Sequence, residues 1–223
     1  MIFGPFLIIL IPAFVFSIYA QFSVKSTFDK YSRVASSLGE TGAVFARRLL
    51  DNLGLFDVKV EKVTGFLSDH YDPANKVLRL SASTYGSKSV AALGVVAHEV
   101  GHAMQDAKAY KPLIIRGMSV PMAGIGSNMA WFIFFFGLIF SSPIFLNVGI
   151  FLFAFVVFFT LITLPVEFDA SKRAIKFLPN MGMPKGEVIA AQKVLNAAAM
   201  TYVASALVAV SQLIRMILLT NRR

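Results

Sequence analysis

The sequence predicts a mostly helical α+β protein that crosses a membrane several times and carries a small domain in water. Three observations support this prediction. Hydrophobic residues make up 57% of the 223 residues and charged residues only 15%, whereas soluble domains carry about 25% charged residues. The apolar residues are concentrated in long runs without charge. The segments between these runs are polar and show both helical and strand periodicity.

The composition also excludes several classes of protein. Cysteine is absent, which rules out disulfide scaffolds, cysteine-ligated zinc, iron–sulfur clusters and thiol catalysis. The formal net charge of +9 would suggest nucleic-acid binding in a soluble protein. In a membrane protein, anionic lipid and the cytoplasmic bias of Lys and Arg explain the same charge. We therefore expect the lipid bilayer, and no nucleic acid, as a partner.

The first apolar segment predicts an N-terminal transmembrane helix over residues 1–24. Met1–Val24 contains no charged residue, and a span needs about 20 residues. The first cations, Lys25 and Lys30, follow this run, which is the reverse of the charge order in a cleavable signal peptide. We expect an uncleaved anchor with its N-terminus outside.

The second apolar segment, residues 117–166, predicts a transmembrane helical hairpin. Its 50 residues would form a single helix about 75 Å long, more than twice the hydrocarbon thickness of a bilayer. The breaker cluster Ser141-Ser142-Pro143 lies near its middle. We expect helices near 118–140 and 144–165, joined by a short outer loop.

The last apolar segment predicts a fourth transmembrane helix over residues 194–220. Val194–Ile214 is free of charge but rich in alanine and contains polar residues, so a long buried soluble helix is the alternative. Arg215 and Arg222-Arg223 would then lie outside, against the positive-inside tendency. We expect the two C-terminal arginines to be solvated or to contact lipid headgroups.

Residues 25–116 form the first polar segment and show mixed periodicity. Apolar spacing predicts helices over 22–37, from Thr41 to Gly54, and from about Lys88 to Ala107 with Ser87 as its cap. Alternation and turn residues predict three strands, at Phe56–Glu61, Gly65–Tyr71 and Lys76–Ser81, the last two joined by a turn at Asp72–Asn75.

Residues 167–193 form the second polar segment. Leu164-Pro165 predicts the start of a new helix that runs through about Phe177, because proline is favoured at the first helical position. Pro179–Gly186 predicts a loop.

The motif H-E-x-x-H at His98, Glu99 and His102 carries the chemistry. Residues four apart lie on one face of a helix, so both imidazoles can bind one metal ion, and zinc accepts such nitrogen ligands. Glu99 lies one residue along and suits a general base that takes a proton from a water activated by the metal. The apolar stretch Val90–Ala97 buries this helix, which argues against a chance match on a surface helix.

The third metal ligand must come from another part of the chain. A metzincin requires glycine at position 105 and histidine at 108, where this chain has Gln105 and Lys108. No histidine follows His102, and the only later glutamates are Glu167 and Glu187.

Glu167 is the best candidate, because the hairpin leaves the aqueous side and returns to the same side just before it. His98, His102 and Glu167 then form the His₂Glu set of catalytic zinc sites, with one position left for water. Asp169 and His70 are the alternative ligands.

Two residues ahead of the metal helix are candidates for binding the substrate's developing negative charge. His70 or Tyr71 could stabilise the oxyanion of the tetrahedral intermediate, although a role in turn packing is the alternative. The neighbouring strands could pair with an extended peptide, or simply form a small sheet.

Four stretches of the sequence also carry a likeness to a known family, namely Ala20–Phe22, Leu67–Pro73, His98–Gln105 and Leu164–Ser171. Over nearly its whole length the chain resembles the YugP-like neutral zinc metallopeptidases of bacterial membranes. It is more distantly similar to the HtpX-type membrane peptidases, whose helix after a transmembrane hairpin reads E-x-x-A-D. Glu167 and Ala170 match that pattern, but Ser171 replaces the aspartate. This departure leaves Asp169, Asp106 and Ser171 itself as candidates for the polar group behind the metal ligands.

The resemblance implies a peptidase, and the residues alone imply a zinc site that activates water. The sequence thus predicts a multi-pass zinc metalloendopeptidase of the cell membrane with a small gluzincin-like domain, one zinc ion per chain and a peptide or membrane-protein substrate. The alternative is a non-catalytic membrane scaffold or assembly factor with a structural zinc site, which would gain nothing from Glu99. A transporter is disfavoured because the first three spans contain no charge. Homo-oligomer formation and a membrane-protein partner are left open.

The orientation in the membrane is testable because the chain contains no cysteine. An even number of spans separates His98 from Glu167, and the positive-inside rule puts both in the cytoplasm and Asn147 outside. A membrane-impermeant thiol reagent on intact cells should label a cysteine placed at 147 and not one placed at 59 or 185. Labelling at 59 would invert the orientation, and labelling at 185 without 59 would separate the metal ligands.

Overall fold

The fold, a computed structural model, is described for residues 4–221, with side chains described from Ile8 onward. Met1 and Arg222-Arg223, which we expected on the outer side of the membrane, are not among the described residues. Helices dominate the described part of the chain. In chain order the elements are α1 (Gly4–Ser32), α2 (Gly42–Asn52), β1 (Lys59–Val63), β2 (His70–Asp72), β3 (Val77–Ser81), α3 (Ala82–Tyr85), α4 (Val90–Ala107), α5 (Lys111–Ile139), α6 (Pro143–Asn180) and α7 (Lys185–Thr220).

Four of these helices, α1, α5, α6 and α7, are long and apolar enough to cross a membrane. Helix α5 ends at Ile139 and α6 begins at Pro143, which confirms the predicted break at Ser141-Ser142-Pro143. Ser141 takes a positive φ of 50° at this turn. The fourth apolar run is helical throughout, as the sequence predicted.

The chain divides into two compact units. The first comprises the described parts of residues 1–21, 111–165 and 201–223. Its core is built around the buried side chains of Phe134, Leu146 and Met216. Glycine allows α5 and α6 to pack closely, since a Cβ at Gly126 would lie 2.5 Å from the carbonyl oxygen of Leu152. Close packing of this kind, through small residues, is typical of membrane helices.

The second unit comprises residues 22–110 and 166–200. Its sheet has the order β1-β3-β2, with β3 parallel to β1 and antiparallel to β2. Helix α4 is buried along most of its length and packs with α2 and the sheet in one apolar core. The later parts of α6 and α7 contribute Ala174, Leu178 and Ala191 to the same core. This core fixes α4 and α6 side by side.

The predicted helix starts are close to the observed ones. Thr41 caps α2, since its hydroxyl accepts a hydrogen bond of 3.4 Å from the Val44 amide, as predicted. Helix α4 is capped by Ser89 and not by Ser87, because it is the Ser89 hydroxyl that accepts from the Ala92 amide. The cap is two residues later than predicted.

The strands are shorter than predicted. Strand β1 begins three residues later than the predicted Phe56–Glu61 segment, and β2 keeps only the end of the predicted Gly65–Tyr71 segment. Gly65 and Leu67 have positive φ values of 111° and 52°, and such dihedrals cannot continue a strand. The turn at Asp72–Asn75 is present, with Asp72 accepting from the amides of Ala74 and Asn75.

The prediction of a new helix at Leu164-Pro165 is wrong. Helix α6 runs without a break from Pro143 to Asn180, and Pro165 lies inside it. A proline removes one backbone hydrogen bond, and no glycine or cap residue accompanies it here to end the helix. The segment boundaries predicted at 24, 166 and 193 lie within α1, α6 and α7, so each of these helices continues from an apolar segment into a polar one.

Gly101 allows α4 and α6 to approach closely. A Cβ at this position would lie 2.7 Å from the carbonyl oxygen and 3.1 Å from the Cα of Ala170. Both of these atoms belong to the backbone of α6, so no side chain can rotate away to make room.

Gly101→Ala should therefore destabilise the fold by about 1–3 kcal/mol, the usual cost of overpacking. For a chain of this size the apparent unfolding temperature in detergent should fall by about 2–10 °C. Gly186→Ala is the matched control, since nothing lies within 4 Å of a Cβ there and alanine favours the helix. Equal unfolding temperatures for the parent and Gly101→Ala would contradict this account.

Candidate metal centre

Helix α4 presents the two motif histidines on one face. The ring centroids of His98 and His102 are 4.8 Å apart and the ring planes are nearly perpendicular, at 87°. Both side chains are mostly buried, with 14% and 11% of their surface exposed. The helix can bury this face because residues Val90–Ala97, which precede the motif, are almost all apolar and packed.

Helix α6 brings Glu167 to the two histidines. Its Oε2 atom lies 3.2 Å from Nε2 of His98 and 3.6 Å from Nε2 of His102. Glu167 is only 3% exposed. One ligand atom from each of these three residues lies within 4.8 Å of the others. Ala170, on the next turn of α6, faces Gly101, so the close helix contact and the carboxylate position have the same origin.

These three residues fit a zinc ion by distance and by donor type. Bonds of about 2.1 Å in tetrahedral geometry place neighbouring ligand atoms about 3.4 Å apart. The two measured nitrogen–oxygen distances, 3.2 and 3.6 Å, bracket this value. Two imidazole nitrogens and one carboxylate oxygen are also the donors that zinc takes in catalytic sites.

The other ring nitrogens are already engaged by the protein. Nδ1 of His98 lies 3.1 Å from Oγ of Ser171, and Nδ1 of His102 lies 2.9 Å from Oε1 of Gln105. Hydrogen bonds at Nδ1 orient both rings and leave their Nε2 atoms directed at Glu167. This pattern is typical of histidines that bind a metal.

Gln105 links the two ligand-bearing helices. Its side-chain amide nitrogen donates to the carbonyl oxygen of Val166 at 2.8 Å and to the Asp169 carboxylate at 2.9 Å. Its oxygen must then accept, so Nδ1 of His102 carries the proton and Nε2 keeps its lone pair for a metal. Gln105 is completely buried, and all of its polar atoms have partners.

This role of Gln105 is not among those predicted from the sequence, where Gln105 only excludes a metzincin. The available signal was its position three residues after His102, which places an uncharged donor and acceptor on the same face of the buried helix. Asp169, one of the predicted polar groups, acts on the amide of Gln105 and not directly on an imidazole. Arg173 contacts the same carboxylate oxygen of Asp169 through an ion pair.

The remaining predicted site residues lie outside the group of three. His70 is exposed on β2, and its Nδ1 lies 2.8 Å from the carbonyl oxygen of Ser68. The hydroxyl of Tyr71 donates to Asp106, one turn of α4 beyond His102, at 2.8 Å. Burial and the Asp106 carboxylate raise the pKa of Tyr71, so this hydroxyl is a proton donor at neutral pH.

Glu99 is buried beside the histidines. Its exposed fraction is 8%, and within residues 4–221 no group forms a hydrogen bond with its carboxylate. Burial lowers the pKa of His102, but the hydrogen bond to Glu167 and the charges of Glu99 and Glu167 outweigh burial, so its pKa is raised overall. The surroundings of His102 are therefore negative, which favours a bound cation.

Comparisons with known proteins cover nearly the whole chain. A family model described as "Putative neutral zinc metallopeptidase" matches residues 6–221. The chain is 46% identical over 215 residues to "Putative membrane protease YugP" of Bacillus subtilis (strain 168), with 96% of each chain covered. No solved structure gives a significant match. Both matches include all of the residues that form the metal group.

The contacts of Gln105 predict a large effect of its substitution. Gln105→Leu should weaken zinc binding about 10–100-fold, because His102 loses the partner that fixes its tautomer. Gln192→Leu is the control, since this exposed glutamine has no contact with the metal group. The dissociation constant can be measured by competition with a chromophoric chelator. Equal constants for the parent and Gln105→Leu would show that Gln105 does not position His102.

Proposed function

Since the chain belongs to the family described as "Putative neutral zinc metallopeptidase", we propose that it is a membrane-integrated zinc metalloendopeptidase. The observation that carries this proposal is the pairing of the His98, His102 and Glu167 group with the buried, unpartnered carboxylate of Glu99. Three protein ligands leave one tetrahedral position for water or substrate. A nearby carboxylate without a partner is then available to move a proton.

In this proposal His98, His102 and Glu167 hold one zinc ion per chain. When bound there, a zinc ion would supply a water of lowered pKa and would polarise the scissile carbonyl. Glu99 accepts the proton from the attacking water and returns it to the leaving amine.

Tyr71 and His70 are the proposed hydrogen-bond donors to the oxyanion. The Tyr71 hydroxyl is protonated and lies near the metal helix through its bond to Asp106, whereas His70 is exposed beside it on β2. To act on substrate, Tyr71 must exchange Asp106 for the oxyanion. Hydrogen bonds of this kind commonly form only in the substrate complex.

A structural zinc site in a membrane scaffold is the weaker alternative. Structural sites are closed by four protein ligands, whereas this group offers three. A closed site also has no use for the unpartnered carboxylate of Glu99.

The same proposal covers architecture and location. We assign residues 25–116 and 167–193 to a gluzincin-like peptidase domain and the four apolar helices to the cell membrane, with the active site facing the cytoplasm. The name of the relative from Bacillus subtilis, "Putative membrane protease YugP", supports the membrane location. The four long apolar helices support it independently. The substrate in this proposal is a cytosolic or membrane-embedded polypeptide.

Glu99→Gln should separate metal binding from hydrolysis. The amide keeps the shape of the side chain but cannot accept the proton, so cleavage of casein should fall by about 10²–10⁴-fold. Zinc content, measured by mass spectrometry of the purified protein, should stay near one ion per chain. His98→Ala is the matched comparison and should lose both zinc and hydrolysis. Full activity of Glu99→Gln would refute the mechanism.

Glu167→Ala should weaken zinc binding about 10-fold or more, because even groups outside the ligand set affect affinity by 10–100-fold. Glu61→Ala is the control, since Glu61 is an exposed glutamate on β1 that pairs with Arg79 and lies outside the group of three. Zinc affinity is again the readout. If Asp169→Ala or His70→Ala lowered the affinity and Glu167→Ala did not, the third ligand would be misassigned.

A further inference from the structure

Two grooves flank α7 within the second unit, and the proposed chemistry uses neither of them. The first, between α6 and α7, has a volume of about 530 Å³ and contains Phe168, Lys172 and Lys176 on its α6 side. Its α7 side includes Asn196 and Met200. A volume of this size lies within the range of ligand-binding clefts.

The second groove lies between α1 and α7 and has a volume of about 400 Å³. It shares Asn196 and Met200 with the first groove, and it also contains two lysines, Lys30 and Lys193. Both grooves thus contain Asn196, Met200 and a pair of lysines; the first adds Gln192, and the second adds Ser23 and Thr27. No acidic side chain lines either groove.

The four lysines have no ion-pair partner in the described part of the chain, although the charge of Lys172 acts on Asp169. All of them are exposed, and within residues 4–221 none forms an ion pair with a carboxylate. The ammonium group of Lys30 lies over the Tyr31 ring, 5.4 Å from its centroid. A pair of cations at the rim of an apolar groove is complementary to a ligand with an anionic head and an apolar body.

The position of the grooves along the helices indicates which ligand this is. Lys193 immediately precedes the charge-free run of α7, and Lys172 follows the last charge-free residue of α6, Val166, by about 9 Å along the helix axis. The polar headgroup layer extends about 5–7 Å beyond the hydrocarbon on each side. A lysine reaches several ångströms along its flexible stem, so the ammonium groups of Lys172 and Lys193 can reach headgroup depth when the charge-free runs cross the hydrocarbon.

We propose that the two grooves bind anionic phospholipids of the surrounding bilayer. The lysine pairs contact the phosphate, and the glycerol and upper acyl chain lie on Phe168 and Met200. An acidic peptide would be complementary to the charge alone. The duplication of the groove on both sides of α7 favours lipid, because a substrate site is needed only beside the metal group.

The α6–α7 groove also touches the metal group through Ser171. This residue lines the groove, and its hydroxyl is the partner of His98 Nδ1. A lipid in this groove therefore contacts the residue that orients one metal ligand.

Binding can be tested on the full-length protein in detergent without reference to peptidase activity. Retention of phosphatidylglycerol and of phosphatidylcholine is measured for each variant by native mass spectrometry. The parent should retain phosphatidylglycerol in preference. The double variant Lys172→Gln/Lys176→Gln should reduce this preference by roughly 25-fold, since each lysine near a membrane surface contributes about fivefold. Lys193→Gln should reduce it by about fivefold.

The control is Lys59→Gln/Lys62→Gln, which removes the same charge from exposed positions on β1. An equal loss of preference in the control pair would show a general charge effect and overturn the proposal. No loss in the groove variants would also overturn it. Unchanged lipid retention together with a higher KM for acidic peptides in Lys172→Gln/Lys176→Gln would assign the groove to substrate instead.

Discussion

The close contact between α4 and α6 is the constraint on which the candidate site depends. Two ligands lie on α4 and the third lies on α6, 65 residues further along the chain. Only a short distance between the helix axes brings Glu167 within reach of both imidazoles, and the missing side chain of Gly101 permits that distance. The apolar core beneath α4 holds the contact in place. The crossing of α4 and α6 therefore determines both how closely the two helices pack and where the three candidate ligands lie.

The buried side chain of Gln105 and the groups that it contacts at this crossing form a connected network of hydrogen bonds. A buried amide or carboxylate without a partner costs free energy, so the network must be complete to be tolerated. Gln105 meets this requirement by bonding His102 on its own helix and Val166 and Asp169 on the other. The same bonds that remove the burial penalty also select one tautomer of His102.

The apolar helices and the shared helix face of the two histidines could be predicted from the sequence because both depend on local patterns. Charge-free runs give the four apolar helices, and the spacing of His98 and His102 on a helix follows from their separation by four residues. Gln105 was missed because its role depends on a partner helix whose rotation no local pattern specifies. The strand lengths were overestimated because the positive φ values at Gly65 and Leu67 end the pairing, and alternation alone does not reveal them. The helix start predicted at Pro165 is wrong because proline, although favoured in the first turn of a helix, is also tolerated inside a long membrane helix such as α6.

Because α6 is continuous through Pro165, the position of the Glu167 carboxylate depends on the rotation of this helix about its axis. The carboxylate of Glu167 stands about 6 Å from the axis of a helix with a rise of 1.5 Å per residue. Turning that helix by about 20° would carry the carboxylate through about 2 Å, ten times the tolerance of about 0.2 Å in a metal–ligand bond. A break at the proline would have isolated the ligand from the apolar half of the helix. Without one, a rotation of α6 about its own axis at Glu167 would move the carboxylate out of reach of the two imidazoles on α4.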